Sequence, residues 1–112
     1  MSEDNIQINF VVWLENHKSF DQIKFSMIPN DTYTESFNQK NRNKKMGLRA
    51  GLPDMFLVVN NHPFFIEFKT KIGVISPKQK KWHDTLSSTV CPVYICRSTQ
   101  EARSVIDNYL TT

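Results

Sequence analysis

Two apolar runs of strand length, Asp54-Met55-Phe56-Leu57-Val58-Val59 and Phe64-Phe65-Ile66-Glu67-Phe68-Lys69, stand on either side of Asn60-Asn61-His62-Pro63. This feature constrains the fold most. Aromatic and β-branched residues favour pleated backbone, and an Asn-Asn-His-Pro break between two such runs reads as the turn of a hairpin. The charged residues enter only where the arms open, Asp54 at the start of the first and Glu67 and Lys69 at the end of the second. A hairpin therefore brings them to one end of a sheet.

Elsewhere the periodicity is helical. Ser2 can cap a helix in which Ile6, Phe10, Trp13, Leu14 and His17 recur at helical spacing, running to about Lys18. Residues 31–45 are polar and rich in Asn, Thr, Lys and Arg, with Tyr33 and Phe37 as large anchors, and read as a loop or a weak helix. Ser76-Pro77-Lys78-Gln79 has the form of a capping box with proline at the first helical position. It predicts a helix to near Ser88 with Trp82 and Leu86 inward. Val90 to Cys96 reads as a third strand. Ser98-Thr99-Gln100-Glu101 is a second capping box, opening a helix with Ala102, Val105, Ile106, Tyr109 and Leu110 on one face. The order of elements implies an α/β fold, a small mixed β-sheet flanked by helices, as one domain over residues 1–112. Trp13, Trp82, Phe56, Phe64 and Phe68 are expected in the core.

Composition narrows the function classes. No stretch approaches the roughly 20 apolar residues that span a bilayer, and the polar start Met1-Ser2-Glu3-Asp4 lacks a signal-peptide layout, which points to a cytosolic, non-membrane protein. Cys91 and Cys96 lie in an apolar β-branched run where they face opposite sides, so reduced core thiols are expected. His17, His62 and His83 are scattered without zinc-like spacing. The formal charge of +3 hides an asymmetry. Ten of the 14 Lys and Arg fall between residues 40 and 81 against two acids, Asp54 and Glu67, a local balance of +8 that leaves −5 for the rest. Such an excess suits a phosphate-binding surface, and also an ordinary solvated lysine-rich face.

Glu67 and Lys69 are two apart, so in a strand both point to the same face while Phe68 points into the opposite layer. With Asp54 opposite, two carboxylates can converge on one hard cation, with magnesium or manganese the expected ions. A close pair of carboxylates repels itself unless a cation or a lysine neutralises it. A surface ion pair between Glu67 and Lys69, with Asp54 capping a turn after Pro53, satisfies the same spacing.

Gly51-Leu52-Pro53-Asp54 followed after a hairpin by Ile66-Glu67-Phe68-Lys69 resembles the PD-(D/E)XK nuclease superfamily, here as PD…EFK. Gly47 to Asp54, Phe65 to Lys71, Gly73 to Gln79 with Trp82, and Glu101-Ala102…Ile106…Tyr109-Leu110 look like the VRR-NUC family in order and spacing. The first helix, with Glu3 and Gln7, and Ile28-Pro29-Asn30 are similar to stand-alone phage and bacterial members. The resemblance implies a restriction-endonuclease-like core and a metal-dependent DNA nuclease. It makes Asp54, Glu67 and the Phe68 carbonyl ligands of Mg2+ or Mn2+, makes Lys69 catalytic, and gives Gln79 a supporting role that its place in the capping box also explains. A first-helix acid belongs to such sites. Glu3 and Asp4 are adjacent candidates, and Glu3, four before Gln7, is the favoured one.

Arg42, Lys44, Lys45 and Arg49 before Asp54, and Lys71, Lys78, Lys80 and Lys81 after Lys69, are the expected phosphate contacts. They would position duplex or branched DNA without reading bases. The resemblance further implies a homodimer. Rival readings are a Holliday-junction resolvase-like endonuclease of the same superfamily and a non-catalytic nucleic-acid-binding module.

Overall fold

The computed structural model describes residues 1–29, 36–89 and 91–111. The Ser2 hydroxyl accepts from the Asn5 amide at 3.1 Å and starts helix α1 (Glu3–Glu15). The helix stops short of Lys18 because the Asn16 side-chain amide caps the Val12 carbonyl at 2.8 Å, after which the chain turns through Phe20–Gln22. Strand β1 (Ile23–Met27) follows, an element the sequence reading did not anticipate. It pairs antiparallel with β2 (Met55–Val59), Ile23 opposite Val59 and Met27 opposite Met55.

Of the expected loop or weak helix at 31–45, the described part is helix α2 (Phe37–Lys45), capped by Ser36 and burying none of its residues. Phe37 is 75% exposed and so anchors nothing. Tyr33 lies outside the described residues.

The hairpin of β2 and β3 (His62–Phe68) is tighter than expected. Asn60 and Asn61, at φ 49° and 68°, form a two-residue turn in the left-handed region that asparagine tolerates, so His62 and Pro63 already belong to β3. Helix α3 (Pro77–Ser87) crosses over to β4 (Val93–Cys96), which runs parallel to β3. Helix α4 (Thr99–Leu110) closes the described fold. Val90, expected to begin that strand, lies outside the described residues. The sheet order is β1-β2-β3-β4, mixed as expected.

One face of the sheet carries the core. Ile6, Phe10 and Leu14 of α1 and Ala102 and Ile106 of α4 meet Met55, Leu57, Val59, Phe64, Ile66 and Phe68, all buried. Phe64 stacks on Tyr109 with ring centroids 4.4 Å apart, and Phe68 meets Phe10 at 5.7 Å. Alternation along β3 sends Glu67 to the other face, toward α3. That face is only partly covered, and Phe56, expected in the core, is 38% exposed there beside Phe65. Trp82 likewise stands outside the core cluster, and α3 buries His83 instead of Trp82 or Leu86. Cys96 is buried, Cys91 half-buried, and both thiols are free.

Candidate active site

The approach to β2 is built on glycine and proline. Gly51 has φ +89°, and a Cβ there would lie 2.7 Å from the Lys78 carbonyl carbon, so only glycine lets this loop press against the first turn of α3. Buried Pro53 then delivers Asp54 to the mouth of the strand. The Asp54 carbonyl accepts from Ile28 at 2.8 Å, and its Oδ2 accepts from the Phe68 amide at 2.6 Å. Asp54 thus ties the start of β2 to β1 and to the end of β3. The register that sets Met55 opposite Ile66 puts it next to Glu67.

Glu67 is 1% exposed, and both of its oxygens are held by α3. The Gln79 amide donates to Oε2 at 3.2 Å, and Nε2 of His83 lies 3.4 Å from Oε1. Burial and the neighbouring Asp54 carboxylate push the Glu67 pKa up to about 9, with Glu3 adding to the rise and Lys69 working against it. A buried carboxyl raised this far keeps a proton at neutral pH, which marks a pair of acids short of one positive charge.

That chemistry bears on what the site could hold. Among the described residues no cluster of three or more His, Cys, Asp and Glu side chains forms a cage. The oxygen donors that the geometry brings together are the Asp54 and Glu67 carboxylates; the Phe68 carbonyl, the third donor that the resemblance implies, follows Glu67 at the end of β3. An all-oxygen set of few protein ligands, completed by water, fits Mg2+ or Mn2+ and disfavours zinc. Lys69, immediately after β3, is 8% exposed, with its stem against Gly73.

Gln79 makes both the capping-box contact and a contact to Glu67. Its Oε1 accepts from the Ser76 amide at 2.9 Å, closing the capping box, which leaves the NH2 to face Glu67. Glu3 is half-buried and its charge acts on Glu67, whereas exposed Asp4 lines an apolar hollow between α1 and β1 together with Gln7. His83 was not singled out by the sequence reading. The signal was its spacing four residues after Gln79, which puts both on one helix face. Burial, with help from Lys69, lowers its pKa below the ordinary range, so the ring is neutral at physiological pH.

The expected phosphate contacts divide into separate groups. Arg49, Lys78 and Lys81 converge with Ala50, Trp82 and Thr85 on a hollow of about 440 Å³. Lys80 is paired with Asp84 at 3.4 Å. Lys71 lies in a different hollow with Arg97 and Glu101. Arg42, Lys44 and Lys45 stand exposed along α2.

Residues 2–100 match the protein family described as the VRR-NUC domain. The solved structure of a "VRR_NUC domain protein" superposes with a TM-score of 0.76 at 23% identity, covering 99% of this chain and 89% of its own. A second, "VRR_NUC domain", gives 0.66 at 16% identity with 96% of each chain covered. At these identities the likeness is one of fold. No curated protein sequence is significantly similar to the chain.

Proposed function

This chain belongs to the VRR-NUC family, a family of nuclease domains, and from that premise we propose that it is a divalent-metal-dependent DNA nuclease selective for DNA structure and not for sequence. The observation that carries this reading is Glu67. It is buried at 1% exposure beside Asp54, with its pKa raised to about 9 and both oxygens oriented by α3. A fold spends stability on such an acid pair where a cation and an anionic substrate complete it.

Asp54, Glu67 and the Phe68 carbonyl would hold Mg2+ or Mn2+. When bound, the ion lowers the pKa of a coordinated water and stabilises charge developing on the phosphoryl oxygens. Gln79 and His83 fix the plane of the Glu67 carboxyl, so the ligand geometry is set before substrate arrives. The Lys69 ammonium, held in a largely water-excluded position, orients the nucleophile or neutralises negative charge at the phosphorus. Glu3 adds negative charge to the cation site. The hollow edged by Arg49, Lys78 and Lys81 holds the phosphate backbone, with Arg42, Lys44, Lys45 and Lys71 widening the positive surface. Two copies acting as a homodimer would address both strands of a duplex or branched DNA. A light-scattering mass equal to one chain in the active protein would contradict that part. No helix among the described residues is long and apolar enough to cross a membrane.

The test is cleavage of labelled linear duplex, single-stranded, flap and four-way-junction DNA with Mg2+ or Mn2+, with EDTA and the Asp54→Ala protein as controls. Cleavage that needs both the metal and Asp54 is expected, and the substrate ranking separates a junction resolvase from a general structure-selective enzyme. Tight binding with no cleavage of any substrate would make the chain a binding module.

A further inference from the structure

Between Lys69 and α3 the chain makes a short turn that the nuclease reading leaves without a role. Ile72 and Val74 are 90% and 83% exposed, the most exposed large hydrophobic side chains among the described residues. Two β-branched apolar groups this far into water, two residues apart, are an unusual placement unless something covers them.

The turn is firmly mounted. The Gly73 amide donates to the Thr70 carbonyl at 3.2 Å. Nη1 of Arg97, at the end of β4, donates to the Thr70 carbonyl at 2.8 Å and to the Gly73 carbonyl at 2.7 Å. One guanidinium nitrogen therefore clamps both ends of the turn. A Cβ at Gly73 would lie 3.4 Å from Cδ of Lys69, so the turn passes close to the lysine stem. The apolar tip is thus carried at a fixed offset from Lys69, with the exposed cations Lys71 and Lys78 in the segments on either side.

Resting on the nuclease reading above, we propose that the Ile72–Val74 tip is a wedge that enters a DNA duplex and unstacks a base step beside the phosphate to be cut. Apolar side chains that insert between base steps, flanked by cations that take the adjoining phosphates, are how proteins open and kink a duplex. A protein partner fits less well, because a stable interface buries about 800 Å² on each side and two side chains supply a small part of that. The wedge gives the site a preference for steps that unstack readily, such as mismatched pairs or the junctions of branched DNA.

The test uses a duplex carrying 2-aminopurine, titrated in EDTA so that cleavage plays no part, with the wild-type chain and with Ile72→Ser/Val74→Ser. Both side chains are exposed, so the variant keeps the fold. Wild type should raise 2-aminopurine emission on binding, and the double variant should lose most of that rise. With Mn2+ the variant should lose about tenfold in cleavage of the closed duplex and much less on the same duplex with a mismatch at that step, since an unpaired base is easier to extrude. Equal emission changes, or equal rate loss on both duplexes, would overturn the wedge. A wild-type dimer that becomes a monomer in the variant without change in unstacking would reassign the tip to a protein contact. Failure of wild type to cut either duplex while still unstacking it would sink the nuclease reading and leave the wedge standing.

Discussion

Gln79 donates its side-chain amide to Oε2 of Glu67 at 3.2 Å, and the direction of that bond is fixed by the other end of the same side chain, whose oxygen accepts from Ser76. The residue that closes the helix cap is therefore also the one that orients the Glu67 carboxyl. The sheet acid is aligned by the first turn of α3, and His83, one turn on, holds its other oxygen.

The two roles of Gln79 separate by substitution. Gln79→Glu retains an acceptor for the Ser76 amide and, while Glu67 is protonated, can accept from it, but it sets a like charge beside Glu67 once a metal ionises that carboxyl. The metal-free melting temperature should therefore change little while Mn2+-dependent cleavage falls by about tenfold or more. Gln79→Ala should lose both, with about 1 kcal/mol of stability. Equal cleavage by the Glu variant and wild type would show that Gln79 serves the cap alone.

Glu67 makes the metal-free fold sensitive to alkali. Its pKa is about 9 in the native state against an ordinary 4.5, so between those values the native state holds a proton that the unfolded chain releases, and stability falls as pH rises. His83 works in the opposite direction, since its lowered pKa costs stability only below its ordinary 6.5. The window to read is therefore pH 7 to 9. Thermal melts in EDTA should lose about 2–3 kcal/mol across that window, Glu67→Gln should flatten the profile, and Mn2+ should restore wild-type stability at the alkaline end. A wild-type profile parallel to that of Glu67→Gln would rule out the raised pKa.

Gly51 sets the distance between the Asp54 loop and α3. Gly51→Ala strains a positive φ and drives a Cβ into the Lys78 backbone, so at least 1–2 kcal/mol of stability should be lost, roughly, and cleavage should fall further than the melting temperature alone accounts for. Wild-type stability would mean that the loop can retreat from α3.

Neighbouring lysines should behave differently. Lys81 edges the hollow with Arg49 and Lys78, while Lys80 is paired with Asp84. Lys81→Ala should weaken DNA binding on every sequence and reduce the salt slope by about one, and Lys80→Ala should do less. A loss confined to particular sequences would contradict a phosphate role.

What was legible in the sequence follows from the range of the interactions involved. The hairpin, the Ser76–Gln79 capping box, the Ser98 cap and the helix faces are local patterns, so β2, β3, α3 and α4 and the convergence of Asp54 with Glu67 could be read directly. The second capping box is only half made, since the Glu101 carboxylate accepts from the Arg97 amide at 3.3 Å and not from Ser98. β1 escaped because Ile23, Phe25 and Met27 alternate over only five residues, and its pairing with β2 is made across a long gap. His83 is buried on α3 while Trp82, expected in the core, is only half-buried, because α3 packs against a sheet face whose central residue is a carboxyl, so a polar side chain faces inward and the indole lines a basic hollow. The clamp from Arg97 onto the turn at 70–73 joins segments far apart in the chain, which no local pattern announces.

The most direct test of the account is to follow Glu67→Gln and wild type side by side, reading cleavage of branched DNA in Mn2+ and DNA affinity in EDTA. The account predicts that the variant keeps its affinity within about twofold and loses cleavage by about a thousandfold, because a metal ligand is gone while the basic surface remains. Cleavage at the wild-type rate by Glu67→Gln would contradict it.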